Sequence, residues 1–135
     1  MLVDTNIFLD VILTRATWAP NSKRCLDWCH ANAGSGWLAW HTLATIYFLV
    51  RRDLGGVNSR KQVELIASSF DICPVDSRSA QLALALPMND FEDALQAAAA
   101  QSARLDAVVT HNVSDYKGSV VPAMAPANFL KQVEE

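Results

Sequence analysis

Met1-Leu2-Val3-Asp4-Thr5-Asn6 is an apolar start that ends abruptly on a carboxylate, and a second apolar run follows it from Ile7 to Leu13. Such a run reads as a short buried strand that delivers Asp4 to the end of a sheet. Two later stretches repeat the logic. Asn89-Asp90-Phe91-Glu92-Asp93 opens an alanine-rich helix, and the β-branched run Ala107-Val108-Val109-Thr110 empties into His111-Asn112-Val113-Ser114-Asp115. Three segments far apart in the chain are thereby expected to bring acidic groups to one edge, where a divalent cation would bind.

Between these anchors, strands alternate with helices. Helical spacing is expected over 6–14, with Thr5 or Asn6 as its cap, and again from Trp18-Ala19-Pro20 to Ala33, where Gly34-Ser35-Gly36 stops it. Trp37-Leu38-Ala39-Trp40 reads as a second strand. A helix over 41–54 should end at Gly55-Gly56, with a further helix over 59–69. Residues 71–76 read as a strand limited by Pro74, with Ser77 capping a helix up to Pro87. A helix over 91–105, a strand over 106–110, a weak last strand over 119–122 and a closing helix after Pro126 complete the chain. This alternation predicts an α/β layered domain with a mainly parallel sheet and right-handed crossovers. Sites in such sheets form beyond the carboxyl ends of strands, where the strand order reverses.

The 135 residues predict a single domain, 1–135, able to bury roughly two thirds of its unfolded surface. A net charge of −3 lacks the overall basicity of a protein that coats nucleic acid, so any nucleic-acid contact must be local. Arg15, Lys23-Arg24, Arg51-Arg52 and Lys117 are the small basic groups available; each also reads as an ordinary solvated face. Asp4 and Asp10 break the first apolar run, so no signal peptide, no membrane span and a cytoplasmic location are expected. Cys25, Cys29 and Cys73 make an odd count without zinc-knuckle spacing. Cys25, Cys29 and His30 are conceivable as a metal group, but core packing is the commoner role of reduced cysteines.

Asp4 and Asp115 fall just past expected strand ends and Asp93 in the first turn of a helix, so one crevice would collect all three. Magnesium prefers oxygen ligands and keeps several waters, so one or two bound carboxylates with others reaching through water suffice. Each residue also has a structural reading. Asp4 can cap a helix, Asp90 is placed as an N-cap, and Asp93 complements a helix dipole. Thr5, Asn6, Thr110 and Asn112 would orient carboxylates or water. His41 and His111 are general-base candidates by residue type, since imidazole as a class suits acid–base work near neutrality, yet for His111 a surface loop is the default. Trp37, Trp40, Tyr47 and Phe48 read as core, with some at a partner surface.

Taken together, Val3-Asp4-Thr5-Asn6-Ile7, Asp90-Phe91-Glu92-Asp93-Ala94-Leu95-Gln96 and Val109-Thr110-His111-Asn112-Val113-Ser114-Asp115-Tyr116, in that order, resemble the PIN-domain proteins. That family includes VapC-like toxins of toxin–antitoxin pairs. The resemblance implies a three-layer α/β/α fold with strand order 3-2-1-4-5 and an acidic pocket that binds magnesium or manganese for RNA cleavage. It also implies an antitoxin partner and a homodimer. Asp4, Asp93 and Asp115 match the family's acidic positions, with Asp90 as a further metal-site candidate. Arg51, Arg52 and Lys117 are the candidates for touching the RNA backbone. Many members carry a glutamate in the helix after the second strand, and this chain aligns Thr45 there; no Glu occurs between residues 34 and 63. Two readings follow: a metal-dependent endoribonuclease working with its remaining acids, or an inactive interaction module. A phosphotransfer or other hydrolase reading is weakened because no phosphate-cradling Gly-rich loop is present.

Overall fold

The computed structural model describes residues Met1–Glu135. Five short parallel strands, β1 (Leu2–Val3), β2 (Trp37–Leu38), β3 (Asp71–Ile72), β4 (Val108–Val109) and β5 (Ala123–Met124), form one sheet in the order β3-β2-β1-β4-β5. This is the order that the family resemblance implies. The helices are α1 (Thr5–Ile12), α2 (Ala19–Ala31), α3 (Trp40–Ser69), α4 (Ser77–Ala85), α5 (Phe91–Ser102) and α6 (Pro126–Val133), and a 3₁₀ turn spans Val113–Tyr116. Leu2 pairs with both Trp37 and Val108, and Val3 with Val109, so β1 is the central strand. The chain adds β2 and β3 on one side of it, then crosses to add β4 and β5 on the other. The switch point therefore lies between β1 and β4, and their carboxyl ends open the crevice described below.

Side chains alternate across the sheet, and each face has its own core. Val3, Leu38 and Val109 pack with Ile7, Phe8, Cys25, Ile46 and Phe129 from α1, α2, α3 and α6. Leu2 and Val108 face the other way onto Ala97, Ala99 and Ala100 of α5, with Tyr116 and Val121. Alanines let α5 lie close to the sheet, and α4 packs on its outer side through Ala83, Ala94 and Ala98. The result is three layers, helices over both faces of a parallel sheet.

Several boundaries differ from the sequence expectation, each for a local reason. Asp4, extended at φ −63° and ψ 146°, caps α1 itself and accepts from Asn6 N at 3.2 Å, in place of Thr5 or Asn6. Trp40 starts α3 rather than ending β2. The helix does not terminate at Gly55-Gly56: Gly55 alone leaves helical geometry, at φ 77° and ψ 163°, and the chain kinks and resumes. A positive φ there suits glycine. Asp76, not Ser77, caps α4, accepting from Arg78 N and Ser79 N. The last strand falls at Ala123–Met124, not 119–122, because Ser119 Oγ ties back to Val121 in a turn and Pro122 offers the ladder only its carbonyl. Cys25 and Cys29 belong to the core, where burial pushes their thiols up to about 12 and about 11, and His30 Nδ1 bonds Ser69 instead. They form no group with His30. No helix is long and apolar enough to cross a membrane.

Candidate functional site

Beyond the carboxyl ends of β1 and β4 lies a cleft of about 240 Å³. Its carboxylates are Asp4, Asp90, Glu92, Asp93 and Asp115, and no lysine, arginine or histidine lines it. Thr5, Asn6 and Asn112 add uncharged polar groups, while Leu9 from α1 and Thr45 and Leu49 from α3 form a wall. The acids expected to meet thus share one cleft: Asp4 from the end of β1, Asp90 and Asp93 from the start of α5, and Asp115 from the 3₁₀ turn after β4.

Asp4 is fixed most tightly. Only 3% exposed, its Oδ1 accepts from Gln96 Nε2 at 3.0 Å and from Asn6 N, and its Oδ2 accepts from Tyr116 OH at 3.0 Å. Gln96, itself fully buried, turns its Oε1 to Thr5 N at 3.2 Å. Gln96 therefore clasps the β1–α1 junction from α5. The Tyr116 phenol is held far above its usual range by burial and by Asp4 and Asp93, so it keeps its proton and donates. Thr5 Oγ1 meets Thr42 Oγ1 at 3.0 Å, and Asn6 Nδ2 donates to Thr110 Oγ1 at 3.1 Å, which also accepts from Asn112 N. The four polar residues expected to orient the site thus do link its segments together.

Asp90 caps α5, its Oδ1 accepting from Asp93 N at 3.0 Å, and it also lines the cleft, so its two readings coexist. The Asp93 carboxyl is pushed up to about 7, first by burial and then by Asp4, Asp90, Asp115 and Glu92. Glu92 is raised for the same leading reason, burial, followed by Asp4 and Asp90. Burial leads both shifts and the neighbouring carboxylates add to them, as expected of acids gathered in a partly desolvated cleft. The buried Asn6 Oδ1, which finds no hydrogen-bond partner, is a further oxygen in need of a donor or cation. An all-oxygen donor set with excess negative charge fits magnesium or manganese. The carboxylates do not close into a ready-made group of three metal ligands, which a cation that keeps most of its waters does not require.

Glu92, Gln96 and Tyr116 were not singled out from sequence. A polar residue inside a run of alanines, three positions after Asp93 and so on the same helix face, was the available sign for Gln96. Thr45 does stand in the cleft wall, its Oγ1 donating to His41 O in its own helix. Arg51, Arg52 and Lys117 lie outside the cleft and are exposed; Arg52 follows Leu49 at i, i+3 spacing and so shares its side of α3. His41 lines a different pocket, between α3, α4 and α5, where burial lowers its basicity. His111 is not a surface loop residue: its side chain is 9% exposed and bonded to Asp10.

A family profile described as the PIN domain matches residues 1–114. The chain belongs to the PIN domain family. Solved structures agree on the fold. The VapBC2 complex of Rickettsia felis bound to a promoter DNA fragment contains a chain that superposes with a TM-score of 0.72 at 14% identity, over 92% of this chain and 96% of that one. A chain of DNA-bound VapBC from Salmonella typhimurium gives 0.70 at 16% identity, over 93% and 96%. A toxin–antitoxin complex from Klebsiella pneumoniae gives 0.68 at 22% identity, again over 93% and 96%. A search of curated proteins by sequence gave no match. At these identities the neighbours speak for the PIN fold, and the site must be argued from its own residues.

Proposed function

We propose that this PIN-domain protein is a magnesium- or manganese-dependent endoribonuclease, the toxin of a toxin–antitoxin pair. The carrying observation is a carboxylate cleft without a lining cation at the switch point of the sheet, where burial and then the neighbouring carboxylates push Asp93 up to about 7. The similarity to chains from toxin–antitoxin complexes supports the toxin reading and an antitoxin partner. An exposed apolar stripe on α3, with Trp40 64% and Phe48 67% exposed, supports a homodimer.

Asp4, Asp93 and Asp115 would hold the cation, with Asp90 further out and Asn6 Oδ1 as an uncharged oxygen beside them. Glu92 offers the carboxylate that Thr45 does not. When bound, the cation supplies Lewis acidity and neutralises charge developing on the scissile phosphate. The chain's own contribution is placement. Gln96 and Tyr116 fix both oxygens of Asp4, so its remaining lone pairs have one orientation. Thr110 holds Asn6 and the Asn112 backbone with a single hydroxyl, and Leu9 and Leu49 exclude water from one side. Arg51, Arg52 or Lys117 would meet the RNA backbone outside the cleft.

Thr45 in the glutamate position favours a second reading, an inactive PIN-fold interaction module. Cleavage of a structured RNA pool by partner-free chain, with manganese against chelator and with Asp93→Asn prepared in parallel, separates the two. The nuclease reading expects cleavage that needs metal and is lost at least a hundredfold in the variant. Equal cleavage by both proteins would expose a contaminant, and no cleavage by a folded chain would favour the module.

A further inference from the structure

A second, smaller hollow of about 160 Å³ lies where the start of α2, His111 after β4 and the start of α6 meet. Thr17, Trp18 and Asn21 form one wall, His111 another, and Ala125 and Pro126, just past β5, a third. Trp18 is 43% exposed, and its indole stacks on the His111 imidazole with centroids 4.4 Å apart and planes 25° from parallel. The imidazole is held in place, because His111 Nδ1 lies 2.8 Å from Oδ2 of the wholly buried Asp10. The same Oδ2 accepts from buried Ser22 Oγ at 2.8 Å, and Arg15 sits 3.6 Å from Oδ1. An ionised carboxylate only accepts, so Nδ1 carries the proton and Nε2 is the ring's remaining polar atom. This assembly uses a buried acid, a buried serine and a half-exposed arginine to aim one imidazole and brace one indole. Nothing in the cleft's hydrogen-bond network requires it.

Its position gives it a purpose. His111 belongs to this hollow and the next residue, Asn112, to the cleft, and consecutive Cα atoms are about 3.8 Å apart. The two sites are contiguous at residues 111–112, the arrangement a single-stranded chain needs to hold a phosphate in one and a base in the other. We propose that the Trp18–His111 hollow is a nucleobase subsite of the same active site, with the indole face of Trp18 that His111 leaves open as the stacking platform and Asn21 reading the base edge. The inference rests on the RNA-cleaving reading and adds to it a specificity-determining residue pair. Single-stranded RNA is recognised in this manner, by unstacked bases laid on aromatic rings and hydrogen-bonded at their edges.

Cleavage of short single-stranded oligoribonucleotides by the full chain, randomised around one cut, tests this against Trp18→Ala and Trp18→Phe. Circular dichroism first establishes that the variants fold. Loss of one stacked base weakens binding by about tenfold or more. The subsite predicts that Trp18→Ala raises KM about tenfold with kcat nearly kept and flattens base preference at one fixed position beside the cut. Trp18→Phe should restore both. Unchanged KM and preference in Trp18→Ala, with cleavage intact, would overturn the subsite and leave the nuclease standing. A drop in kcat alone would also overturn it, reducing Trp18 to a brace for the Asn112 turn.

The indole N–H resonance of Trp18, assigned by its loss in Trp18→Phe, supplies the second readout, taken on Asp93→Asn to prevent turnover. It should shift and saturate as RNA is added. A shift without any cleavage by the wild-type chain would support the subsite and contradict the nuclease. A resonance unmoved by RNA but moved by rising protein concentration would assign the hollow to contact between copies and overturn the proposal.

Discussion

Asp4 and Asp93 carry the same charge into one cleft, yet they should respond differently to neutralisation. Asp4 accepts three hydrogen bonds through both oxygens, so Asp4→Asn presents an amide N–H₂ to one of its donors. Leaving a buried donor unpaired costs about 1–3 kcal/mol, so this variant should lose cleavage and also unfold at lower urea. Asp93 makes no such clasp and sits among like charges. Asp93→Asn should lose cleavage while gaining about 1 kcal/mol, a few degrees in Tm, at pH 8 in the presence of chelator. The sign of the pH dependence follows. A carboxyl pushed up to about 7 contributes stability that is fully present below its unfolded value of about 4 and lost as pH rises through 7. Metal-free wild type should therefore lose Tm relative to Asp93→Asn between pH 5 and pH 8; parallel Tm profiles would remove Asp93 from the charged cluster. The three principal acids were legible in the sequence because each follows an apolar run or opens a helix. Glu92 was not, because two carboxylates side by side in a first turn look alike from composition. Gln96 and Tyr116 are partners only through the fold, 92 and 112 positions from Asp4.

Helices and strands were legible to within a few residues wherever apolar spacing and a breaker coincided, and less so where a breaker had another use. Gly55 kinks α3 instead of ending it, and Pro122 delays β5 instead of closing it. Gly36 was legible only as a stop after α2. In the fold it is also a close approach: a Cβ there would lie 2.7 Å from the Phe70 ring and 2.9 Å from Cys29 Cβ. Both neighbours are buried core residues, so Gly36→Ala should destabilise by about 1–3 kcal/mol, read as a fall in the urea midpoint with the slope unchanged. Unaltered stability would mean that α2 and the end of α3 can part without cost. The smooth face of α5 was legible as a close-packing surface, and it fills that role against Leu2 and Val108.

At the scale of the molecule, the alternation of strands and helices gave the layered architecture, and the strand order followed from the family resemblance. Periodicity alone cannot order parallel strands, since every strand here is a short apolar run. Partner surfaces were the least legible, because an exposed aromatic and a core aromatic have the same sequence spacing until the sheet decides which way α3 faces. Trp37 is largely covered, whereas Trp40 and Phe48 lie open on α3. If that stripe closes a homodimer, sedimentation of the partner-free chain should give a dimer at micromolar concentration and Phe48→Glu a monomer. A wild-type monomer at high concentration would leave the stripe to another partner.

The proposed metal site is a cleft in which Asp4, Asp90, Glu92, Asp93 and Asp115 stand together without a lining basic side chain. Calorimetric titration of manganese into the chain at pH 6, repeated in buffers of different ionisation enthalpy, tests this site directly. Manganese should bind with release of protons, because burial and the neighbouring carboxylates push the Asp93 carboxyl up to about 7 and it must ionise to ligate. In Asp93→Asn the proton release should vanish and the affinity fall at least tenfold. Absence of binding by the folded wild type, or binding that the variant leaves untouched, would contradict the metal site and with it the nuclease.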